Sequence, residues 1–489
     1  MALLRGNVSV LGVVHSPNAP DRGRDTIAWA EGAGPIRRNG IPVQTDLSLR
    51  RLEAGEFVWA TASAEMRPET WAKAVAPARC IAMPSIAYRL ARVAAGDGIA
   101  TASIHGVNEY DIAAGMALVR AAAGVVLDAA GREIVLTGAP DARASGCFAG
   151  EAGAARRLAA FDWYSLEQET KREPRTVLRF PRTAQADWLA RAQGCMLGQL
   201  VGDSLGSRVE FKSAAEIARA FPSGVRELAD GGTWDTIAGQ PTDDSELALA
   251  LARSIVASGG RYDSSAALAA YRAWIQSEPF DVGATTRRGL LGSADFASQA
   301  NGSLMRASPI GIWAAGDPAR AAAAAREDSA LTHANPVCVD ACAAYVAAIA
   351  AAICGKGRDD LLAAALAEAQ EGAVVDAIRR GAKGEAPADF MAHQGWVLIA
   401  LQNAFYRLFA AHSVEEAIVA TVGSGGDTDT NAAIAGALAG ALHGRDAFPS
   451  RWILPILACR PLAAAGARRP RPSTYWTDDA FDLAEALLG

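Results

Sequence analysis

The chain has 489 residues, enough for two or three domains, and 51% of them are apolar, so a large core can form. Its formal net charge of −6 excludes the basic surface of a general nucleic-acid binder. Its seven cysteines show no metal-ligand spacing, which argues against a thiolate metal site.

Met1 to Gly6 leads directly into a strand-like run without the pattern of a signal peptide, so a cytoplasmic protein is expected. Residues 1–165 alternate strand-like runs (Val8–Val14, Glu56–Ala60, Gly124–Leu127) with helical candidates around 68–76, 84–95 and 111–123, an α/β mixture. A polar stretch carrying Pro174 and Pro181 makes residues 166–185 the expected linker. Residues 186–489 then show helical periodicity almost throughout and read as one all-α domain. Two helices there repeat glycine every fourth residue: Gly194, Gly198, Gly202 and Gly206, then Gly436, Gly440 and Gly444. Interior glycine costs roughly 1 kcal/mol against alanine, so a stripe of it predicts close backbone approach between packed helices. The apolar run Val337–Cys354 contains Asp340 and is mostly alanine, a buried helix and not a membrane span. Cys338 and Cys342, one turn apart within it, read as core.

Two acidic clusters open apolar helices about 180 residues apart: Pro241-Thr242-Asp243-Asp244-Ser245-Glu246 and Gly423-Ser424-Gly425-Gly426-Asp427-Thr428-Asp429-Thr430-Asn431. Thr242 followed by acids is also a good helix start, a hydroxyl cap facing the positive end of the dipole. The second cluster exceeds what capping requires, because its glycines let the backbone bend and present two carboxylates and a hydroxyl from one turn. Together the clusters form an all-oxygen set suited to Mg²⁺ or Mn²⁺, provided the fold brings them face to face.

The C-terminal domain resembles the ADP-ribosylglycohydrolase family. Gly194–Gly206 matches the family's opening helix, Thr242-Asp243-Asp244 its first metal motif, and Gly426–Asn431 its second. Asn301–Pro309 matches the substrate loop and Leu331–Pro336 the histidine-bearing helix start. The resemblance implies an all-α bundle around two Mg²⁺ ions, with Mn²⁺ as an alternative. Thr242, Asp243, Asp244, Asp427, Asp429 and Thr430 would be the ligands, Asp429 bridging. Asn301, Gly302, Ser303, Met305, His333 and Trp396 would line the ADP-ribose cleft. The reaction implied is cleavage at C1″ of an ADP-ribosylated protein or a small ADP-ribose conjugate, with Asp244 or Glu210 as base or charge stabiliser. No membrane partner is expected, and nucleic acid only as an ADP-ribosylated substrate. The same fold also serves as a non-catalytic ADP-ribose-binding or structural protein, a reading that the intact ligand set opposes.

Residues 1–165 resemble the C-terminal half of the inositol monophosphatase superfamily, through Glu109–Gly115, with Asp111 at a metal-ligand position, and Gly124–Asp128. The earlier acidic motif that supplies most of that family's ligands is absent, so this region is expected not to be a magnesium-dependent phosphatase. A scaffold, a binding module or a homo-oligomer contact are the alternatives, as is a start codon upstream of Met1.

Overall fold

The computed structural model describes residues 1–19, 21–139, 141–164, 169–171, 186–293 and 295–489. Apart from residues 169–171, the linker expected at 166–185 lies outside the described residues. The chain divides into two compact units, Met1–Phe180 with Leu462–Ala467, and Pro181–Pro461 with Arg468–Gly489.

The first unit is α/β, and its strand-rich runs build two five-stranded sheets. One is antiparallel throughout, in the order Ala2–Arg5, Val8–Ala19, Gly23–Ala30, Arg37–Arg38 and Ile41–Pro42. The other is mixed, in the order Val125–Leu127, Cys147–Gly150, Ala100–Ser103, Phe57–Ala60 and Arg79–Ala82. Its last three strands are parallel, which requires crossover connections, and the helices Pro68–Val75 and Ile86–Ala94 supply them. The buried Arg92 meets Asp21 through two hydrogen bonds of 2.9 and 2.8 Å and also pairs with Asp97. Burial alone would raise Asp97, but Arg92 and Arg38 beside it hold it down at about 2. A charge this deep persists only when paired in this way.

The second unit is helical; among its described residues no strand occurs outside isolated bridges. Its central feature is the antiparallel crossing of the helices Ala186–Gly206 and Thr428–His443. Added Cβ atoms at Gly194, Gly198, Gly202 and Gly206 would come within 2.4, 2.0, 2.1 and 2.4 Å of the carbonyl oxygens of Gly440, Gly436, Ala432 and Thr428. Each step of four residues along one helix is matched by four residues back along the other, so the glycine stripes lie against each other as a seam of backbone on backbone. Thr428 Oγ1 donates to Gly206 O at 2.7 Å and closes the seam at the end where the second acidic cluster begins. The helix Pro336–Ile353 packs alongside, Tyr345 donating to Ile434 O at 2.9 Å. By length and composition it could cross a membrane, yet 83% of it is buried inside the unit.

Gly198→Ala should therefore lower stability by about 1–3 kcal/mol, the usual range for overpacking. Gly372→Ala, at a helical glycine with nothing within 4 Å of the new methyl, should change it by no more than about 1 kcal/mol. Urea unfolding of the two variants checks the seam, and equal effects would remove it as a structural constraint.

Candidate metal centre and active site

Both acidic clusters sit at helix starts, and in neither does the N-cap residue cap its own helix. Thr242 precedes the helix Asp243–Ala257 and makes no side-chain cap bond, and neither does Asp427 before Thr428–His443. The first helix is capped instead from a distance. Asp203, on the glycine-rich helix, accepts the N–H groups of Thr242 and Ser245 at 3.1 Å, and the Thr242 hydroxyl lies 2.9 Å from its Oδ1. Thr242 Oγ1 also stands 3.1 Å from Asp244 Oδ2. Because Asp203 satisfies the helix end, Asp243 and Asp244 are left to face the cleft, while Thr242, expected as a ligand, does not line it and is held by Asp203 and Asp244. Glu246, the remaining acid of this cluster, is turned away and accepts two hydrogen bonds from Arg471 at 2.8 and 2.7 Å.

The second cluster is set by its glycines. Gly426 has φ +77°, and a Cβ there would lie 2.1 Å from Phe390 O. Its N–H donates to Lys212 O and its carbonyl accepts from Phe211 N–H at 2.8 Å, which ties the turn after the opening helix to Asp427. That turn carries Glu210, whose Oε2 accepts the indole N–H of Trp234 at 2.6 Å. Phe211 pays with a left-handed backbone, φ +66°.

The two clusters line one cavity of about 460 Å³, to which Glu210 and Asp281 also contribute. Carboxylate oxygens of Glu210, Asp281 and Asp429 lie within 4.8 Å of one another. Burial, reinforced by the neighbouring acids, pushes Glu210 up to about 8, Asp243 to about 7 and Asp281 to about 10. Asp244 and Asp429 stand well above the carboxylate range for the same reasons. Three observations fit hard divalent cations: every donor is oxygen, three carboxylates can share one ion, and Asp244 Oδ1 is buried without a partner.

Of the residues expected to bind substrate, Asn301, Gly302, Met305 and His333 line this cavity. Asn301 Nδ2 donates to Asp427 Oδ2 at 2.7 Å, so the loop is pinned to the acidic wall. Ser303 does not line it; its fully buried hydroxyl accepts from Ser329 at 2.9 Å. Trp396, 37% exposed, lines an adjoining cavity that shares Ala300, Gln394 and Gly395 with the first. Arg306 is an ion-pair partner of Asp328 at 3.0 Å. Sequence reasoning passed over Asp203, Asp281, Trp234 and Thr286. Asp203 lies inside the quoted Gly194–Gly206 motif, one residue past a seam glycine, which was the available signal. Asp281 and Thr286 come from a loop and a short helix without a distinctive pattern.

Comparisons with known proteins place each unit in a family. Residues 184–483 match the family model described as ADP-ribosylglycohydrolase, and residues 1–163 match that of the inositol monophosphatase family. The "ADP-ribosyl-[dinitrogen reductase] glycohydrolase" of Rhodospirillum rubrum is 32% identical over 277 residues, covering 54% of this chain and 89% of that protein. The "ADP-ribosylarginine hydrolase Tri1" of Pseudomonas putida is 27% identical over 282 residues, covering 54% and 74%. Among solved structures, an "ADP-ribosylglycohydrolase-related protein complex" aligns with a TM-score of 0.50 and 28% identity, over 62% of this chain and 98% of that one.

Mg²⁺ added to chelator-stripped protein should raise its melting temperature, since a ligand of the folded state stabilises by mass action. Asp203→Asn should weaken Mg²⁺ binding roughly 10–100-fold, as loss of an outer-shell partner does. Calorimetric titration reads both, and unchanged affinity in Asp203→Asn would separate that residue from the centre.

Proposed function

The chain belongs to the ADP-ribosylglycohydrolase family, and we propose that its helical unit cleaves the C1″ glycosidic bond of ADP-ribosylated protein or of a small ADP-ribose conjugate, using a binuclear Mg²⁺ centre in which Mn²⁺ can substitute. The observation that carries this reading is the convergence of two acidic clusters, distant in sequence, on one cavity. Asp243 and Asp244 would hold the ions from one side, and Asp427, Asp429 and Thr430 from the other, with Thr242 Oγ1 behind Asp244 at 3.1 Å and Asp281 within reach of Asp429. When bound, such ions supply Lewis acidity and a template for a ribose diol and a water.

The protein's own groups do the rest. Asn301 and Gly302 form the wall against which ADP-ribose is laid, and Asn301 is fixed by Asp427. Glu210 is the general base. Asp244 stands in a helical first turn beside Thr242 and Asp203, whereas Glu210 sits on a turn, is steered by a neutral N–H donor and lies within 4.8 Å of Asp281 and Asp429, close enough to act on a water held there. The water oxygen bonds to C1″ as the glycosidic bond breaks, its proton passes to Glu210 and from there to the departing nitrogen or oxygen, while the surrounding carboxylates favour the positive charge that develops at C1″. The arginine linkage is the first to test, because a relative is named for it. Cys147, Cys195, Cys338, Cys342 and Cys354 carry free thiols, which suits a reducing cytoplasmic setting.

For the first unit we propose no phosphatase role, because the sequence lacks the acidic motif that supplies most of that family's ligands. Asp111 lines a cavity of about 440 Å³ there and accepts from Asn108 Nδ2 at 3.2 Å. Phosphate assays with inositol phosphates and phosphoadenosine phosphate should read background; release above it would overturn this part of the proposal.

Glu210→Gln should lower kcat by about 10²–10⁴ while ADP-ribose still binds, whereas Asp244→Asn should lose Mg²⁺ affinity as well. Wild-type turnover in Glu210→Gln would refute the base assignment. A panel of ADP-ribosyl-arginine, ADP-ribosyl-serine, O-acetyl-ADP-ribose and ADP-ribosylated nucleic acid, each with Mg²⁺ and Mn²⁺, tests the activity itself. Turnover of none would leave the alternative of a non-catalytic ADP-ribose binder.

A further inference from the structure

Beside the substrate loop, two polar atoms are buried without any hydrogen-bond partner: His333 Nε2 and Thr286 Oγ1. A Cβ built on Gly302 would lie 3.0 Å from the first and 2.8 Å from the second, so both reach the same point at the cavity lining. Buried groups of this kind are rare because each loses its water without a replacement. Two of them at one spot in a ligand cleft point to an atom that arrives with the ligand.

The chemistry behind His333 decides what it offers. Arg306 is fully buried, its Nε 3.0 Å from Asp328 Oδ2, its Nη2 donating to Asp328 O at 2.9 Å, and its guanidinium over the Tyr271 ring at 4.3 Å. The remaining arm, Nη1, donates to Thr332 Oγ1 at 2.8 Å. A guanidinium can only donate, so the threonine oxygen receives, and the proton of this fully buried hydroxyl would go unused unless it turns to the other neighbour, His333 Nδ1 at 2.8 Å. Nδ1 therefore accepts, and the ring proton resides on Nε2. Burial and the charge of Arg306 oppose a second proton and hold His333 at about 3.

We propose that Arg306 and Thr332 are positioning residues that lock His333 as its neutral Nε2–H tautomer, and that this N–H and the Thr286 hydroxyl form a paired donor subsite for an acceptor oxygen of bound ADP-ribose. The inference rests on the reading of the cleft as an ADP-ribose site. It adds a neutral, donor-only wall to a cleft otherwise dominated by acids, and it explains why the loop carries glycine at 302: any side chain there would fill the space in front of both donors.

The test uses the full chain labelled with ¹⁵N-histidine, the His333 signal being assigned by its loss in His333→Gln. The wild type and Thr332→Ser should give the Nε2–H pattern, and Thr332→Val should shift towards Nδ1–H. Calorimetry with ADP-ribose should find about tenfold weaker binding for Thr332→Val and for Thr286→Val, the loss of one hydrogen bond, with Thr332→Ser close to wild type. Thr286→Val should leave the histidine signal unmoved, which separates the second donor from the relay. An Nδ1–H pattern in the wild type overturns the proposal without any ligand or mutant, so the test survives a variant that fails to fold. Wild-type affinity in both valine variants overturns the subsite. Failure of the wild type to bind ADP-ribose would refute the functional reading instead, while the tautomer would still report on the relay.

Discussion

Carboxylates crowded into a cavity with little water repel one another, and the helical unit is built to hold them there regardless. Removing solvent raises the effective strength of each like-charge contact several-fold. The result is visible in the upward displacement of Glu210, Asp243 and Asp281 together. Part of the opposition is met by the fold, since two helix N-termini direct their partial positive charge at the same space. What remains is a demand that protons or hard cations can meet, and the binding free energy of whichever ion is taken up is also folding free energy.

The other elements can be ranked by how they serve that demand. Asp203 takes over the capping of one helix, so that the residues in its first turn are spared for the cavity. Gly425 and Gly426 bring the turn bearing Glu210 against the second cluster. Asn301 links the substrate loop to Asp427 and so ties the acidic wall to the facing one. On that facing wall the groups are neutral: a threonine hydroxyl, an imidazole and the glycine between them. A charged wall and a neutral wall suit a ligand whose two ends differ in the same way.

Much of this was legible in the residues, for identifiable reasons. The four-residue glycine period has a physical meaning only in a helix and only at a contact, and both stripes are found at the same contact. Asp427, Asp429 and Thr430 were readable because three donors in one turn exceed any structural need. Thr242 was ambiguous as a hydroxyl cap, and its hydroxyl is taken by an aspartate 39 residues away that no local pattern couples to it. Glu246 and Ser303 stand within the right motifs but are buried facing away from the cavity, because helical phase and loop geometry aim neighbouring side chains in opposite directions. Asp281 and Thr286 were illegible, since a lone acid in a loop or a lone hydroxyl on a short helix acquires meaning only from what folds opposite it.

The helix crossing beneath the acids is made of main chain on both sides, so it contains no rotamers that can repack. A floor of this kind does not adjust to a differently shaped substrate, whatever the leaving group. Diversification of such an enzyme, by evolution or in the laboratory, is thereby channelled to the loops around residues 281–286, 299–305 and 391–396. A library confined to those segments would sample new selectivities on an invariant anvil, whereas randomising the crossing would mostly yield chains that do not fold.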